Sequence, residues 1–245
     1  MEKAEVITVS DLFKSFGENH VLRDFNLKVY EGENLVVLGK SGSGKSVLIK
    51  CIINLIRPDS GKIVVLGKDM GLLDQDELDR LRADVGFLFQ SNALYDSMTV
   101  RQNLLFPLRR HWSRVDRDQR AEQAVREALE DVGLAHTLHM MPAELSGGMK
   151  KRVALARTLI LRPKVILYDE PTTGLDPITS REISELIVKV QQKYKTAAVI
   201  ISHDLNCIRL TSNRVVMLLD GRCYADDTYD NLIQSKDPRI RSFFD

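Results

Sequence analysis

The spacing of apolar residues along this 245-residue chain changes twice. In the first part, apolar residues alternate with polar ones or form short runs between turn residues, which predicts β-strands. In the middle they recur every three or four residues, as they do on one face of a helix. In the last part, short apolar runs alternate with helical stretches, the pattern of a parallel sheet covered by helices.

The first part has a turn at Glu31–Gly32, and its predicted strands are Val6–Val9, Phe25–Val29, Leu35–Leu38, Lys62–Leu66 and Val85–Phe89. The apolar positions at helical spacing in the middle are Ala121, Ala124, Val125, Ala128, Leu129 and Val132. Gly133 follows them and is predicted to be the C-terminal cap of that helix.

The last part contains predicted strands at Val165–Tyr168, Ala197–Ser202 and Val215–Leu219. A helix is expected near residues 178–192, with Asp176 as its N-cap and Pro177 as its first residue. Its apolar stripe is Ile183, Leu186, Ile187 and Val190, and a further helix is predicted after Asp204. The whole pattern predicts an α/β core, an antiparallel β layer at the N-terminus and a helical insertion at about residues 95–160.

Composition narrows the possible classes of protein. Hydrophobic residues make up 44% of the chain and charged residues 28%, which suits one α/β domain with a sizeable core. The net charge of +1 argues against an extended nucleic-acid surface. We interpret the basic run Arg109–Arg114 as a solvated face and assign it no ligand.

The N-terminal residues, the length of the apolar runs and the cysteines all bear on where in the cell the protein acts. The stretch Met1–Glu5 is charged where a signal peptide would be apolar, and no apolar run approaches the ~20 residues that span a bilayer. The cysteines Cys51, Cys207 and Cys223 are scattered, and their odd number fits a reducing cytoplasm. If the protein acts at a membrane, another chain is expected to supply the membrane spans.

Residues Gly39–Ser46 carry the strongest chemical signal. They match the pattern G-x-x-x-x-G-K-[ST], follow the apolar strand Leu35–Leu38 and lead into an apolar segment from Val47. The glycines let successive backbone N–H groups point inward around phosphate oxygens. Lys45 can reach the β- and γ-phosphates, the Ser46 hydroxyl can ligate Mg²⁺, and the helix N-terminus favours an anion. The motif predicts binding of a nucleoside triphosphate.

Two further motifs gain meaning beside this loop. Asp169 and Glu170 follow the buried strand predicted at Val165–Tyr168, at the edge of the sheet where ligands gather. Asp169 can join the Mg²⁺ shell, while Glu170 can polarise an attacking water. Upstream, Ser146, Gly147 and Gly148 are predicted to begin a helix, which makes a second anion-binding end.

Together these motifs make the sequence resemble an ABC-transporter ATPase over nearly its whole length. The matching motifs are Walker A at Gly39–Ser46, the Q-loop at Gln90, the signature motif at Leu145–Met149, Walker B at Val165–Glu170, the D-loop at Gly174–Asp176 and the switch histidine at His203. The resemblance implies one ABC ATPase domain over residues 1–245. Its P-loop NTPase core would occupy about 1–94 and 161–245, and its helical subdomain about 95–160.

The resemblance also assigns roles. It implies a head-to-tail homodimer in which each ATP lies between Walker A of one chain and the signature motif of the other. The residues it assigns to ATP are Phe16, Gly39, Ser41, Gly42, Ser43, Gly44, Lys45, Ser46, Val47, Ser146, Gly147, Gly148 and Asp176. The residues it assigns to Mg²⁺ are Ser46, Gln90 and Asp169, and those it assigns to catalysis are Glu170, His203 and Gln90.

The case for Phe16 is the least determined of these assignments. Phe16 stands where the family stacks an aromatic side chain on adenine. Without the resemblance, Phe13 or Phe16 could equally belong to the hydrophobic core. His203 taken alone could be a strand-end histidine bonded to the backbone, but its position after the predicted strand favours the catalytic role.

Met149, at a position where most of the family carries glutamine, points to a subfamily. The segments Phe89–Val100, Leu145–Arg152 and Asp237–Phe244 are similar to ATPases of MCE-type lipid transporters. That resemblance implies phospholipid transport, a multi-span permease that contacts the groove beside the Q-loop, and an MCE-domain substrate-binding protein. It implies a peripheral protein at the cytoplasmic face of the inner membrane, and it leaves a small regulatory subunit open.

Two other functions stay open at the level of sequence. Cargo is chosen by other chains, so the same motifs fit an importer of an amino acid or a metal. ABC ATPases that act on DNA or the ribosome usually carry two cassettes or a long insertion, and this chain shows neither.

Overall fold

The computed structural model describes residues 3–244, and Met1, Glu2 and Asp245 lie outside the described residues. Within this range the chain forms a six-stranded sheet and a four-stranded sheet, with helices on both faces of the larger one. The strands are β1 (Glu5–Phe16), β2 (Asn19–Tyr30), β3 (Asn34–Leu38), β4 (Ser60–Val65), β5 (Lys68–Asp69), β6 (Val85–Leu88), β7 (Val165–Asp169), β8 (Ala197–Ile201), β9 (Arg214–Leu219) and β10 (Arg222–Asp227).

The helices of the described range lie between or after these strands, and α3, α4 and α5 follow one another without a strand. They are α1 (Lys45–Ile52), α2 (Gln75–Ala83), α3 (Val100–His111), α4 (Arg114–Asp131), α5 (Gly147–Leu159), α6 (Pro177–Tyr194), α7 (Leu205–Thr211), α8 (Tyr229–Ile233) and α9 (Pro238–Arg241), with short 3₁₀ turns at Ala135–Thr137 and Pro142–Glu144. None of the helices between residues 3 and 244 combines the length and the apolar character needed to cross a membrane.

The larger sheet has the strand order β10-β9-β3-β8-β7-β6, and all neighbours except β10 and β9 run parallel. Strands β3, β7 and β8 are buried along their whole length, as expected for parallel strands covered on both faces. Side chains alternate across β3: Val36 and Leu38 join one core cluster, while Leu35 and Val37 join the other. The carboxyl ends of β3, β7 and β8 therefore meet at one edge.

The smaller sheet, with the order β2-β1-β4-β5, is antiparallel and shares a core cluster with α1 and one face of the larger sheet. Helices α3, α4 and α5 pack together through buried apolar residues such as Leu104, Val125 and Leu155. The predicted fold class is therefore confirmed: an α/β P-loop core with an N-terminal antiparallel layer and a helical subdomain.

The structure confirms the predicted caps of two helices. Gly133 follows α4 with a φ of +70°, and Asp176 caps α6 by accepting from the N–H groups of Ile178 and Thr179. The predictions for β1 and β2 were too short. Each strand runs for 12 residues, because irregular register at positions such as Asp11 and Asp24, both at positive φ, breaks the apolar alternation.

The elements absent from the prediction include α2 and β10. Helix α2 buries only Leu78 and Leu81, so its apolar stripe is too narrow to stand out, although Asp74 and Glu77 form a full capping box at its start. Strand β10 lies at the sheet edge and has no fully buried residue, so its sequence lacks an apolar run.

Candidate nucleotide site

The loop between β3 and α1 is shaped by two glycines. A Cβ on Gly39 would lie 2.6 Å from Ser43 Oγ and 2.7 Å from the Leu218 carbonyl oxygen, so no side chain fits there. Gly44, the N-cap of α1, has a φ of +103°. This backbone conformation is strained for any residue that carries a side chain. The loop can therefore pass close to Leu218 and still begin a helix at Lys45.

Lys45 is buried at the centre of this loop, with 6% of its surface exposed. Its ammonium donates to the carbonyl oxygens of Gly39 at 2.8 Å and Lys40 at 3.1 Å, and lies 4.0 Å from Glu170 Oε1. Burial lowers the pKa of Lys45, and the carboxylates of Glu170 and Asp169 oppose that shift. The ammonium is thus bound by carbonyl oxygens of the loop, and phosphate oxygens can take the place of these acceptors.

Ser46 and Asp169 bring two hard oxygen donors together. The Ser46 hydroxyl donates to Asp169 Oδ1 at 2.9 Å, although the two residues come from α1 and β7. Burial raises the pKa of Asp169, and the hydrogen bond from Ser46 opposes it. Between residues 3 and 244 no group of three or more His, Cys, Asp or Glu is arranged around a cation. Mg²⁺ fits this donor set, because it takes one or two protein oxygens and completes its shell with phosphates and water.

Glu170 and His203 form a second pair at the same sheet edge. His203 Nδ1 lies 2.8 Å from Glu170 Oε2, and the Thr173 hydroxyl donates to that oxygen at 3.1 Å. Glu170 has a φ of +51° and donates its backbone N–H to the Ile201 carbonyl at 3.0 Å. A non-glycine residue held in this left-handed conformation is strained, and such strain concentrates at functional sites.

These residues surround a cavity of about 610 Å³. The predicted site residues that line it are Phe16, Gly39, Ser41, Gly42, Gly44, Lys45, Ser46, Val47, Gln90, Glu170 and His203. Asp169 is reached from this cavity through Ser46. The structure therefore brings together residues that are up to 187 positions apart in sequence, counting from Phe16 to His203 (203 − 16).

The aromatic residue at the cavity is Phe16, with 50% of its surface exposed. Phe13 is 40% exposed and does not line the cavity. The alternative that either belongs to the core is wrong, because the end of β1 projects past the core into solvent. An exposed aromatic face at a cavity wall is available for stacking.

Other predicted residues lie away from this cavity. Ser43 faces a neighbouring cavity, and its N–H is used within the loop by the Lys40 carbonyl. Ser146 caps α5 by accepting from the Met149 N–H at 3.2 Å. Ser43 therefore belongs to the phosphate loop without lining this cavity, and the signature residues do not line the cavity of their own chain.

Asp176 lies beside the signature helix. Its Oδ2 accepts from the Thr179 hydroxyl at 2.6 Å, and a Cβ on Gly148 would lie 2.6 Å from Thr179 Cγ2. The start of α5 and the start of α6 thus pack closely together. Gly148 is needed for that approach, which the signature pattern alone did not reveal.

Outside the phosphate loop and its strand, sequence reasoning missed Val21, Ser242 and Phe243, which also line the cavity. The last two follow α9, which is fixed in place because Asp237 accepts from the Tyr224 hydroxyl at 2.6 Å and Ile240 is buried. Asp237 followed by proline predicts a helix start, but only the tertiary fold brings the end of that helix to the phosphate loop.

A glycine-rich loop with a buried lysine, next to an Asp–Glu pair at a parallel sheet edge, defines a P-loop nucleoside triphosphatase. The protein-family model described as "ABC transporter" matches residues 22–173. The chain belongs to the ABC transporter ATPase family, whose members bind and hydrolyse ATP.

Curated relatives share most of this chain. The probable ribonucleotide transport ATP-binding protein mkl of Mycobacterium leprae is 37% identical over 99% of this chain and 70% of its own length. Mkl of Mycobacterium tuberculosis is 38% identical, and this chain spans 66% of its length. Protein TRIGALACTOSYLDIACYLGLYCEROL 3, chloroplastic, of Arabidopsis thaliana is 37% identical over 97% of this chain and 73% of its own.

Solved structures agree with the fold. The dimeric structure of MJ0796, a bacterial ABC transporter cassette, has a TM-score of 0.82 at 32% identity, covering 91% of this chain and 98% of its own. A post-hydrolysis state of the same cassette, dimeric and bound to ADP and Pi, has a TM-score of 0.78 at the same identity and coverage.

Proposed function

We propose that this ABC transporter ATPase works as a head-to-tail homodimer that drives a separate permease, and that the permease moves phospholipid in an MCE-type system. We treat residues 1–245 as one ABC ATPase domain, at the cytoplasmic face of the inner membrane. The observation that carries the ATPase chemistry is the convergence of Lys45, Ser46, Glu170 and His203 on one cavity.

Each of these residues has a defined task in the proposed reaction. The Lys45 ammonium leaves the loop carbonyls and binds β- and γ-phosphate oxygens, while Phe16 stacks on the base. When bound, Mg²⁺ neutralises charge on the phosphates, with Ser46, Asp169 and Gln90 as its protein ligands. Glu170 takes a proton from a water that attacks the γ-phosphorus, and the bond from the γ-phosphorus to the bridging oxygen breaks, so that ADP and phosphate are formed.

His203 keeps the base in place for this step. It lies 2.8 Å from Glu170 Oε2, so the carboxylate is oriented before the substrate arrives. Its side chain is 64% exposed, which leaves it able to turn towards the γ-phosphate.

The homodimer completes the site. Ser146, Gly147 and Gly148 begin α5, and the free N–H groups of a helix start bind anions. Because these residues lie away from the cavity of their own chain, we propose that they close over the γ-phosphate of a second copy, with Asp176 beside them. The dimeric state of the MJ0796 cassette supports this arrangement. ATP drives closure because it binds the closed dimer more tightly than the open one.

Replacing Glu170 by glutamine tests this reaction. Glu170→Gln keeps the size of the side chain but removes the base, so turnover is expected to fall at least about a hundredfold. ATP should still bind and should hold the variant as a dimer, measured by light scattering after gel filtration. Glu185→Gln, which changes an exposed carboxylate of α6 paired with Arg181, is the matched control and should keep wild-type turnover. Wild-type turnover in Glu170→Gln would contradict the assigned role.

We propose that a permease helix docks in the groove between β6 and the helices. Two aromatic pairs line it: Phe87 and Phe89 have ring centroids 4.2 Å apart, and Tyr95 and Phe106 have centroids 4.7 Å apart. Tyr95 and Phe106 are each about two-fifths exposed. Exposed aromatic residues grouped in a groove are typical of sites that receive a partner helix. The groove adjoins Gln90, so occupancy there can reach the nucleotide site.

A charge placed in the groove tests this contact. Tyr95→Asp is expected to abolish co-purification with the permease, while the isolated subunit keeps at least about half of its ATPase activity. Leu72→Asp is the matched control, because Leu72 is 82% exposed and outside the groove. Equal recovery of permease with both variants would contradict the proposed contact.

The lipid cargo rests on two similarities. The segments around Gln90, the signature motif and the tail resemble MCE-type ATPases, and one relative is named after a galactolipid. Other relatives carry other names: mkl is named for ribonucleotide transport, and MetN of Clostridium tetani, 39% identical over 89% of this chain and 67% of its own, for methionine import.

Purification of the tagged chain from detergent-solubilised membranes separates these possibilities. Mass spectrometry is expected to identify a multi-span permease, an MCE-domain protein and bound phospholipid, and to show whether a small regulatory subunit is present. An amino-acid-binding protein in place of the MCE-domain protein would contradict the lipid assignment. Recovery with ribosomes or DNA instead of a permease would contradict transport itself.

A further inference from the structure

A buried lysine links the signature helix to the nucleotide cavity. Lys151 lies on α5 with 2% of its surface exposed, and its ammonium donates to the backbone carbonyl of Gln90 at 2.9 Å. Among residues 3–244, the Gln90 carbonyl is the only hydrogen-bond acceptor of this ammonium. Burying a charged group against one neutral acceptor is unfavourable, so this lysine is not explained by stability.

The segment that Lys151 holds has a strained backbone. Asn92 and Ala93 have φ values of +64° and +51°, two consecutive left-handed residues without glycine. Arg157, six residues after Lys151 on α5, donates to their carbonyl oxygens at 3.0 Å and 2.7 Å. Two cations of one helix therefore hold three carbonyl groups of the segment Gln90–Ala93. Strained segments persist only where their surroundings fix them in this way.

The pKa of Lys151 is affected by both burial and the Walker B strand. The electrostatic influence of Asp169 on Lys151 raises the pKa of the lysine, while burial lowers it more strongly. Lys151 is thus close enough to the Walker B carboxylate for the two groups to interact. Ser146 lies only five residues before it, about 7.5 Å along the helix axis.

The geometry points to Lys151 as a positioning residue for ATP hydrolysis, which holds the Gln90 backbone so that the Gln90 side chain stays aimed into the cavity. Through Lys151, a movement of the signature helix moves Gln90, because one rigid helix carries both Ser146 and Lys151. This role rests on the proposed function of Gln90. It predicts that the effect of Lys151 on turnover depends on the presence of the Gln90 side chain.

A double-mutant cycle tests this dependence. Lys151→Met removes the charge and the donor at similar volume, and it should lower kcat about tenfold in the wild-type chain. In the Gln90→Ala background the same change should lower kcat less than about twofold. Affinity for a fluorescent ATP analogue should stay within about twofold of wild type, and the melting temperature should be unchanged or higher, because a buried charge has been removed.

Two controls define the result. Lys150→Met alters the neighbouring, half-buried lysine of α5 and should leave kcat unchanged. Lys151→Arg keeps a charged donor and should retain more than about half of the wild-type kcat. If Lys151→Met does not fold, the cycle is run with Lys151→Gln, which keeps an N–H donor without the charge and should show the same dependence on Gln90.

The outcomes separate this proposal from the reaction itself. A kcat within twofold of wild type for Lys151→Met, or equal effects in both backgrounds, overturns the positioning role while leaving the ATPase reaction intact. If Glu170→Gln hydrolyses ATP as fast as wild type, the proposed reaction fails instead. A fall in melting temperature that accompanies an equal loss in both backgrounds would identify Lys151 as a structural residue.

Discussion

The charged carboxylate of Asp169 is needed for function, but its burial should lower the free energy of unfolding of the protein. Burial raises the pKa of Asp169 and so favours its neutral form, while the nearby Lys45 and Lys50 favour the charged form without outweighing burial. Asp169→Asn removes the charge, and its Oδ1 can still accept the Ser46 hydroxyl that now lies 2.9 Å from Asp169. Without nucleotide, the variant should therefore be more stable than wild type.

The expected size of this effect can be bounded. Relief of one unfavourable active-site charge typically adds about 1–2 kcal/mol to the free energy of unfolding. For a chain of this length, 1 kcal/mol changes the melting temperature by about 2–4 °C, so Asp169→Asn should melt about 2–8 °C higher. Mg²⁺-dependent ATPase activity should fall at least about a hundredfold, because the metal loses its carboxylate ligand.

The assay is calorimetry in EDTA without nucleotide, since Mg²⁺ or ATP bound to the wild type would stabilise it and hide the difference. Asp118→Asn is the matched control, because the Asp118 side chain is 72% exposed, and it should change the melting temperature by less than about 2 °C. A melting temperature for Asp169→Asn equal to or below that of wild type would refute the reasoning.

The sign of the pH dependence is a second check on the same variant. In the folded state the pKa of Asp169 lies above its unfolded value of about 3.9, so the folded protein binds this proton more tightly. The cost of the charge is fully present above the folded pKa and disappears as the pH falls through it. The difference between Asp169→Asn and wild type should be largest near neutral pH and should shrink on acidification towards about pH 4.

Three variants and one chemical reaction test separate parts of the structure. Gly39→Ala would place a Cβ 2.7 Å from the Leu218 carbonyl oxygen and displace the loop, so ATP affinity should fall at least about tenfold and stability by about 1–3 kcal/mol, measured by nucleotide titration and thermal melting. Phe16→Ala should weaken ATP binding about tenfold but leave the binding of inorganic tripolyphosphate unchanged. Phe243→Ala applies the same comparison to the second aromatic residue at the cavity. Equal losses of affinity for both ligands would contradict base stacking. Burial raises the pKa of Cys51 to about 11, so its thiol should react with a disulfide reagent at pH 8 only after unfolding, and rapid reaction in the folded protein would contradict its burial.

The sequence determined by itself those features that depend on neighbours along the chain. The phosphate loop needs glycine at Gly39 and Gly44 for its backbone, and Lys45 and Ser46 for its chemistry, and all four lie within eight residues. Helix starts at Ser146 and Asp176 were equally visible, because a capping side chain bonds to N–H groups two or three residues later. The order of such motifs was enough to predict the fold class.

Only the tertiary structure decided which distant groups meet and how deeply each is buried. The apolar pattern of α5 gives no sign that Lys151 is enclosed, because its burial comes from packing against a segment 61 residues earlier. Phe16 faces the cavity because β1 extends beyond the core, and Phe243 reaches the same cavity because α9 is fixed by a contact with Tyr224. Such contacts depend on long-range chain closure, which local periodicity does not encode, and they set the pKa values, strain and shape on which the site depends.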